Sequence, residues 1–430
     1  MAMRALVKAM VGCVFAVWQG ADVRLWAQQV QQKEILVGTT LSPGFDIGVD
    51  TSGGRTDWLF NEGTHFRMSY PSGQSWGVVF VTVWPMTEWG KPRPSMDFSV
   101  YRTLLLEMRA GEGAQEIAIG IKDAKQPDDG KEARVPVRLS SAWQVYAIPV
   151  GEFKGADLKT LYVVTEFVFT GNTGQTVYVR GIRFTSQAAP VIRAVASAAS
   201  FQAGAAAGGW ITIYGSDLAP VTRSWSERDF QGVKLPKVLD GTSVSIAERE
   251  CVLAFISPTQ INALAPFDLA EGQSPVVVKN AVGGSAAFPT RVNKTQPALF
   301  VFPAENGRYA AAVHADGEYV GKAGLLGAGV AMRPAKPGDV VLLYGTGFGQ
   351  TVPPHSADEL LAAALPLPDK EQLRVRLGTA TAECLFAGAV APGLYQFNVT
   401  IPNVPDGDQA VTIEYRGAAT QQNVFLTVQR

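Results

Sequence analysis

The sequence has few cysteines and histidines, no excess of either charge, and no long hydrophobic run beyond its N-terminus. Three cysteines and three histidines in 430 residues nearly exclude a His/Cys metal site. The net charge is −1, so the basic surface that nucleic acid requires is not expected. No segment approaches the roughly 20 apolar residues that span a bilayer. We therefore expect no metal, no cofactor, no nucleic acid partner and no membrane span.

The composition favours a globular protein built from short strands. Hydrophobic residues make up 47% and charged residues 17%, so the chain can bury large cores. With 44 glycines, 26 prolines and 10% aromatic residues, many turns between strands are expected. The length predicts two to three domains.

The N-terminus has the pattern of a secretory signal. Arg4 and Lys8 provide a positive start, and residues 9–18 form a short apolar run. Glutamine-rich sequence follows directly, as in a mature N-terminus. We predict a signal peptide over residues 1–27 and a secreted or cell-surface protein; the alternative is a buried N-terminal helix.

Residues 33–186 carry short apolar runs at hairpin intervals, which indicates a β-sandwich rather than an α/β fold. Residues 128–130 (DDG) predict a hairpin turn. Trp76 and Trp143 are expected in the core. The predicted strands cover residues 66–70, 76–83, 104–108, 117–121, 135–139, 145–148, 162–169 and 176–184.

After a short linker at residues 186–190, the chain repeats itself. A strand that runs into Tyr-Gly at Tyr214 recurs at Tyr344, and a Gln-x-Asn phrase that ends at Asn262 recurs at Asn398. The matching order predicts duplicated sandwiches over residues 190–293 and 297–430. Each asparagine is expected to bond nearby backbone, because buried amides need partners. In the second copy, residues 356–364 show a capping-box pattern and predict one short helix.

Cys251 and Cys384 remain once a signal is removed. A disulfide between them suits an exported protein. However, they fall in matching strands of separate copies, so two buried free thiols are the alternative that we favour.

Three phrases of the first segment resemble one family. Residues 97–104 (DFSVYRTL), 143–149 (WQVYAIP) and 177–184 (VYVRGIRF) resemble segments of jelly-roll carbohydrate-binding modules of the galactose-binding-like type. The resemblance implies a jelly roll over residues 33–186. The family's last strand commonly carries an Asp that helps to hold a structural calcium, but Arg180 or Gly181 stands at that place here.

Residues 190–430 resemble a C-terminal domain of exported proteins from Solibacter-type acidobacteria. Residues 344–349 (YGTGFG) also resemble the Ig-like IPT/TIG domains. The implied fold is all-β, an N-terminal jelly-roll β-sandwich followed by two Ig-like β-sandwich domains that act as spacer or interaction modules. The matching phrases are residues 198–201 (AASF), 213–218 (IYGSDL), 257–262 (SPTQIN) and 393–398 (GLYQFN).

Aromatic residues in the first segment suggest a sugar site. Trp84, Glu88, Trp89 and Arg93 share one proline-rich loop, and Trp58 flanks another loop. Sugars offer apolar faces for stacking and hydroxyls for polar side chains. We predict that these residues bind a polysaccharide or a cell-surface glycan.

The sequence contains no Gly-x-Ser-x-Gly and no HExxH motif, so we predict that the protein is not an enzyme. Candidate acids such as Asp57, Glu62, Glu88 and Asp97 could cleave glycosides only if two of them met in one cleft. The leading hypothesis is an exported noncatalytic glycan-binding protein with Ig-like spacer or docking domains. The alternative is a structural or adhesive cell-surface protein without a sugar ligand.

Overall fold

The computed structural model describes residues 30–87, 91–112, 115–126, 132–303 and 308–430, and within them the fold is all-β. The chain divides into two compact units, residues 29–188 and residues 189–430. The predicted signal peptide and the hairpin turn at residues 128–130 lie outside the described residues. No helix in the described part of the chain is long and apolar enough to cross a membrane.

The first unit is a sandwich of two antiparallel sheets. Sheet I has the strand order β10-β7-β12-β1-β2, with β5 paired to β12 and β4 to β5, and sheet II has the order β3-β6-β11-β8-β9. Short 3-10 helices cover Val150–Glu152 and Leu158–Thr160. The strands are β1 Gln32–Val37, β2 Thr40–Leu41, β3 Phe45–Thr51, β4 Leu59–Asn61, β5 Phe66–Tyr70, β6 Trp76–Val83, β7 Thr103–Ala110, β8 Gln115–Asp123, β9 Ala133–Leu139, β10 Gln144–Pro149, β11 Leu161–Thr170 and β12 Gln175–Thr185.

The core between the two sheets follows from the pleat of the strands. In β5, Phe66, Met68 and Tyr70 are buried while the intervening residues are half-exposed. Strand β11 is buried along nearly its whole length, and Phe167 and Phe169 point into the core. The strands predicted from alternation and apolar runs are confirmed.

The second unit begins with a sandwich of sheet III (β13-β15-β21-β20-β16) and sheet IV (β14-β23-β22-β18-β17, with β19 on β18). One 3-10 helix covers Glu227–Asp229. The strands are β13 Val191–Ser197, β14 Ala205–Ala206, β15 Trp210–Ser216, β16 Arg223–Ser224, β17 Val238–Leu239, β18 Thr242–Ile246, β19 Arg249–Glu250, β20 Val252–Ile256, β21 Gln260–Leu264, β22 Gly272–Lys279 and β23 Phe288–Asn293.

A further sandwich follows, made of sheet V (β27-β26-β25-β28-β33-β32-β29, with β24 on β28) and sheet VI (β31-β30-β34-β35, with β36 on β34). One 3-10 helix covers Lys370–Gln372. The strands are β24 Ala298–Leu299, β25 Ala312–His314, β26 Tyr319–Val320, β27 Met332–Arg333, β28 Val340–Thr346, β29 Leu365–Pro366, β30 Leu373–Leu377, β31 Ala380–Ala382, β32 Cys384–Ala391, β33 Leu394–Thr400, β34 Gly407–Tyr415, β35 Ala418–Ala419 and β36 Phe425–Val428.

The repeated phrases occupy equivalent register positions in sheets III and V. Tyr214 lies opposite Gln260 where β15 pairs with β21, and Tyr344 lies opposite Gln396 where β28 pairs with β33. In both sheets the glutamine Nε2 donates to the Oδ1 of the asparagine two residues later, at 2.9 Å and 2.7 Å. The asparagine oxygens thus accept from a side chain, not from the backbone as the sequence analysis expected.

The predicted helix over residues 356–364 is wrong, because this segment bonds to another chain segment instead of to itself. The Leu235 backbone NH donates to the Asp358 carbonyl at 2.8 Å, and the Leu360 NH donates to the Val233 carbonyl at 2.9 Å. Lys234 and Lys237 also pair with the Asp358 carboxylate. These contacts take the backbone groups that an α-helix would use.

Both cysteines that the structure describes are free thiols. Cys251 is buried and Cys384 is half-buried, so the expectation of two buried thiols is wrong for Cys384. Burial raises the pKa of the Cys251 thiol to about 12 and that of Cys384 to about 11, which keeps both thiols protonated at neutral pH.

Trp210 lies where the two sandwiches of the second unit contact each other. Its ring is buried, its backbone NH donates to Thr346 Oγ1 at 2.9 Å, and its Nε1 donates to the Pro392 carbonyl at 3.1 Å. Gly393 follows with a positive φ, and a Cβ there would lie 2.4 Å from Leu264 Cδ1 and 2.9 Å from Trp210 Nε1. The tryptophan of one sandwich is therefore seated against a glycine turn of the other.

We expect Trp210→Ala to destabilise the second unit by about 3–5 kcal/mol, because it removes a buried ring between packed sandwiches. Calorimetry of the whole chain would measure the change. Leu385→Ala is the control, since Leu385 is an exposed apolar residue of the same unit. An unfolding transition unchanged by Trp210→Ala would contradict the role of this residue.

Candidate functional site

The outer face of sheet II forms an open cleft, and β6 supplies its central row of side chains. Val79, Val81 and Val83 point into the core, so the alternate residues Trp76, Val78, Phe80 and Thr82 point outward. The cleft encloses about 670 Å³. It is lined by Asp50, Trp76, Val78, Phe80, Thr82, Met86, Thr87, Arg93, Lys122, Glu132, Arg134, Tyr162, Val163, Glu166, Val168 and Thr170.

One cross-strand row shows how the cleft floor is built. In this row Gly48, Phe80, Glu166, Gly120 and Arg134 lie side by side on five neighbouring strands. A Cβ at Gly48 would lie 2.7 Å from Phe80 Cζ, and one at Gly120 would lie 2.3 Å from Glu166 Oε1. The glycines therefore leave room for the large side chains beside them to lie flat on the sheet.

One end of the cleft is apolar and open to solvent. Trp76 is 41% exposed and Met86 is 37% exposed, although both are large apolar residues. Val78 and Phe80 continue the apolar surface along β6, and Val168 lies beside Val78 on β11. Exposed apolar area that is held in a concave surface tends to mark an interaction site.

The other end of the cleft has a chain of alternating charges. Lys122 Nζ lies 2.9 Å from Glu132 Oε1, Arg134 Nη2 lies 3.0 Å from Glu132 Oε2, and Arg134 Nε lies 3.0 Å from Glu166 Oε1. Burial raises the pKa of Glu166, while the Arg134 guanidinium opposes that shift. The network supplies fixed polar groups at a floor that water reaches poorly.

The loop after β6 is tied to this floor through Tyr162. The Thr87 backbone NH donates to Tyr162 Oη at 3.0 Å. The Arg93 guanidinium lies 5.2 Å from the centre of the Tyr162 ring and donates to the Gln126 carbonyl at 2.7 Å. Arg93 is thereby held at the polar end of the cleft.

The structure separates the predicted site residues. Arg93 lines the cleft, and Trp84 follows β6 directly with 63% of its surface exposed. Glu88 and Trp89 lie outside the described residues. The prediction that Trp58 binds a sugar is wrong. Trp58 is 1% exposed, and its ring packs edge-on against Tyr70 and Phe169. It cannot stack on a sugar, because the core covers its ring.

Two other tryptophans lie outside the core, in which the sequence predicts them. Trp76 was expected in the core and lines the cleft instead, because the pleat of β6 places it outward with Phe80. Trp143 was also expected in the core but is half-buried, with the Arg180 guanidinium 4.4 Å from its ring centre. A position at the start of a strand with buried residues does not by itself show which face of the sheet a side chain occupies.

Several cleft residues were not anticipated. Strict alternation over residues 76–83 could have identified Trp76 and Phe80 as outward neighbours. Glu166 had a signal too, because it is the one charged residue in the apolar run of β11. Arg134, the partner of Glu166 on β9, has no such signal in the sequence, since only the pairing of strands brings the two residues together.

The two glutamates at the polar end of the cleft are both held by one arginine. Glu132 and Glu166 are the acids that meet in the cleft, and both bond the same guanidinium of Arg134. Among the described residues, no group of three or more His, Cys, Asp or Glu could hold a metal ion.

No family model and no curated protein sequence matches the chain. Among solved structures, a family 29 carbohydrate-binding module complexed with cellulohexaose is 14% identical, with 37% of this chain and 93% of that chain covered and a TM-score of 0.27. The family 30 module of a cellulosomal cellulase from Clostridium thermocellum is 16% identical, with 36% and 96% covered and a TM-score of 0.28. The family 11 module from the same organism, in complex with a mixed-linked tetrasaccharide, is 15% identical, with 38% and 92% covered and a TM-score of 0.23. At such low scores these likenesses assign neither ligand nor activity to this chain.

The contrast between Trp58 and Trp84 is directly testable. We expect Trp58→Ala to lower the free energy of unfolding of the first unit by about 3–5 kcal/mol, as for other buried aromatic rings. Trp84→Ala should change it by no more than about 0.5 kcal/mol, since an exposed ring supports no core. Calorimetry of both variants measures the difference, and equal destabilisation would refute these placements.

Proposed function

We propose that the cleft of sheet II binds a segment of a neutral polysaccharide without cleaving it. The observation that carries the proposal is the exposed ring of Trp76 at the apolar end of the cleft. Phe80 lies between this ring and the fixed charges at the polar end. The apolar end suits the C–H faces of sugar rings, and Glu166, Arg134 and Lys122 offer acceptors and donors for hydroxyl groups. Across its strands the floor extends about 20 Å, at the usual spacing between neighbours.

The arrangement of the acids argues for binding over hydrolysis. A glycosidase needs one carboxylic acid to protonate the leaving oxygen and a second carboxylate on the other side of the bond. Here both carboxylates bond one arginine and lie in the floor, with side chains only 7% and 8% exposed. Arg134 therefore fixes both acids as parts of a structural network.

The loop residues extend the proposed site. Trp84 follows Thr82 with the same alternation, and its exposed ring offers a further stacking surface beyond the end of β6. Arg93 would bond a sugar hydroxyl next to the polar end. Glu88 and Trp89 remain proposed members of the site by their place in the same loop. The alternative function is a structural or adhesive surface protein with no sugar ligand.

Binding of neutral hexasaccharides tests the proposal. We would titrate the full chain with β-1,4-linked glucose, β-1,4-linked mannose and β-1,3-linked glucose hexasaccharides in a calorimeter. Trp76→Ala should weaken binding by about 1–3 kcal/mol, the effect of removing one large apolar contact, and leave the unfolding temperature unchanged. Trp84→Ala should also weaken binding, by a smaller amount.

Val145→Ala is the matched control, because Val145 is an exposed apolar residue on sheet I. The proposal fails if the parent protein binds none of the hexasaccharides, or if Trp76→Ala binds as the parent does. Release of new reducing ends from a hexasaccharide would show an enzyme instead.

We further propose that the protein is exported and that the second unit is a spacer or docking module. The basic start and short apolar run of residues 1–27 support export. The proposed spacer consists of the two sandwiches that the sequence predicts as Ig-like repeats over residues 190–293 and 297–430, and the proposed binding module covers residues 33–186. Two sandwiches joined through Trp210 suit a role that needs a stiff body.

Export predicts that the protein loses about 20–30 residues from its N-terminus in its native host, the usual length of a signal. Intact mass analysis of protein collected outside the cytoplasm would measure the loss. Protein from that fraction that still carries Met1 would contradict the proposal.

A further inference from the structure

The outer face of sheet I carries a row of stacked arginine and aromatic side chains. Phe60, Arg67, Tyr178 and Arg109 lie side by side on β4, β5, β12 and β7. The Arg67 guanidinium lies 4.1 Å from the centre of the Phe60 ring, and the Arg109 guanidinium lies 3.7 Å from that of Tyr178. At these distances the cations lie on the ring faces.

Trp143 joins this row from the segment just before β10. Its ring centre lies 4.4 Å from the Arg180 guanidinium and 5.5 Å from that of Arg109. The ring is half-buried, so part of its surface stays accessible beside two cations. His65 packs edge-on against both Trp143 and Tyr178, which fixes the two rings relative to each other.

The arginines differ in their partners. Arg67 pairs with Glu62, Arg180 with Glu107, and Arg183 with Glu34. In contrast, within the described parts of the chain Arg109 has no carboxylate within ion-pair distance. Its hydrogen bond within the described residues goes from Nη1 to the Ala110 carbonyl at 3.2 Å. A guanidinium so placed has a fixed plane, a full charge and N–H donors left for a ligand.

From this arrangement we propose that Arg109, Trp143 and Tyr178 form a second binding site, for the carboxylate-bearing sugars of a uronic acid polysaccharide. A guanidinium fork matches a carboxylate with two parallel hydrogen bonds. The accessible part of Trp143 offers an apolar surface for the ring of the same sugar or of its neighbour. This site does not depend on the cleft, which lies on the other sheet.

The charges around Arg109 favour such a ligand over nucleic acid. Glu62 and Glu107 lie on the same face and neutralise the neighbouring arginines. Nucleic acids carry a charge at every phosphate and are bound through many cations at once. One unpaired arginine between aromatic rings fits a polymer whose carboxylates are separated by whole sugar rings.

Titration of the full chain with oligogalacturonate tests the inference. We expect the parent protein to bind it, with affinity that falls as salt is raised. Arg109→Gln should weaken binding roughly 10- to 100-fold, the range for a lost charged hydrogen bond. Arg109→Lys keeps the charge without the planar fork and should recover only part of the affinity.

The controls separate this site from the cleft and from general charge. Arg138→Gln removes an exposed arginine from sheet II and should leave binding unchanged, as should Trp76→Ala. The fully methyl-esterified oligomer has the same rings without the charge, and the Trp76→Ala protein, which lacks the main contact of the cleft, should not bind it. This arm needs no change at Arg109, so it stands even if Arg109→Gln does not fold.

Three outcomes would overturn the inference. They are no binding of oligogalacturonate, guluronate or glucuronate oligomers by the parent, equal binding of the methyl ester, and equal binding by a folded Arg109→Gln variant. Tighter binding of a DNA oligonucleotide than of oligogalacturonate would overturn the choice of ligand. Failure of the neutral hexasaccharides to bind, with oligogalacturonate still bound, would refute the cleft proposal alone.

Discussion

The pleat of β6 is the constraint on which the cleft depends. Val79, Val81 and Val83 are fixed in the core, and a shift by one residue would exchange the whole inward set for the outward one. Because that exchange would take three valines out of the core, where each is at most 3% exposed, the register is strongly determined. The register of β6 alone is sufficient to place Trp76 and Phe80 on the outer face of the sheet.

The glycines and the charges of sheet II depend on this register in turn. Gly48 and Gly120 fall next to Phe80 and Glu166 only because the five strands pair as they do. Glu166 lies in a strand that is otherwise apolar, and a lone buried carboxylate there would be costly. Arg134 offsets the cost and is shared with Glu132, whose second oxygen bonds Lys122. The polar end of the cleft is therefore a connected network of ion pairs that holds its shape without a ligand.

Most strands of the first unit could be predicted from the sequence, but the face of the sheet on which a tryptophan lies could not. Alternation and apolar runs predict β5 to β12 of sheets I and II but not β1 to β4. The repeated phrases at Tyr214 and Tyr344 fall in the same register of their sheets. The positions predicted for three tryptophans are wrong: Trp58 is buried, whereas Trp76 is exposed and Trp143 is half-buried. The pleat of β6 decides the side for Trp76, while Trp58 is covered by Tyr70 and Phe169, a contact that the sequence does not reveal. The helix expected at residues 356–364 failed for another reason, since its backbone partners at Val233 and Leu235 are far away in sequence.

The two faces of the first unit use the same residue types in opposite ways. On sheet II Glu132 and Glu166 are paired with cations. Trp76 has no arginine stacked on it among the described residues, so the ring is left for an uncharged partner. On sheet I the guanidinium groups cover Phe60, Tyr178 and Trp143, and Arg109 keeps its charge unpaired within the described chain. An aromatic ring in water attracts apolar surface, whereas an arginine fixed on such a ring attracts an anion. One β-sandwich can therefore present two surfaces with different ligand chemistry, because each sheet turns only one of its faces to the shared core.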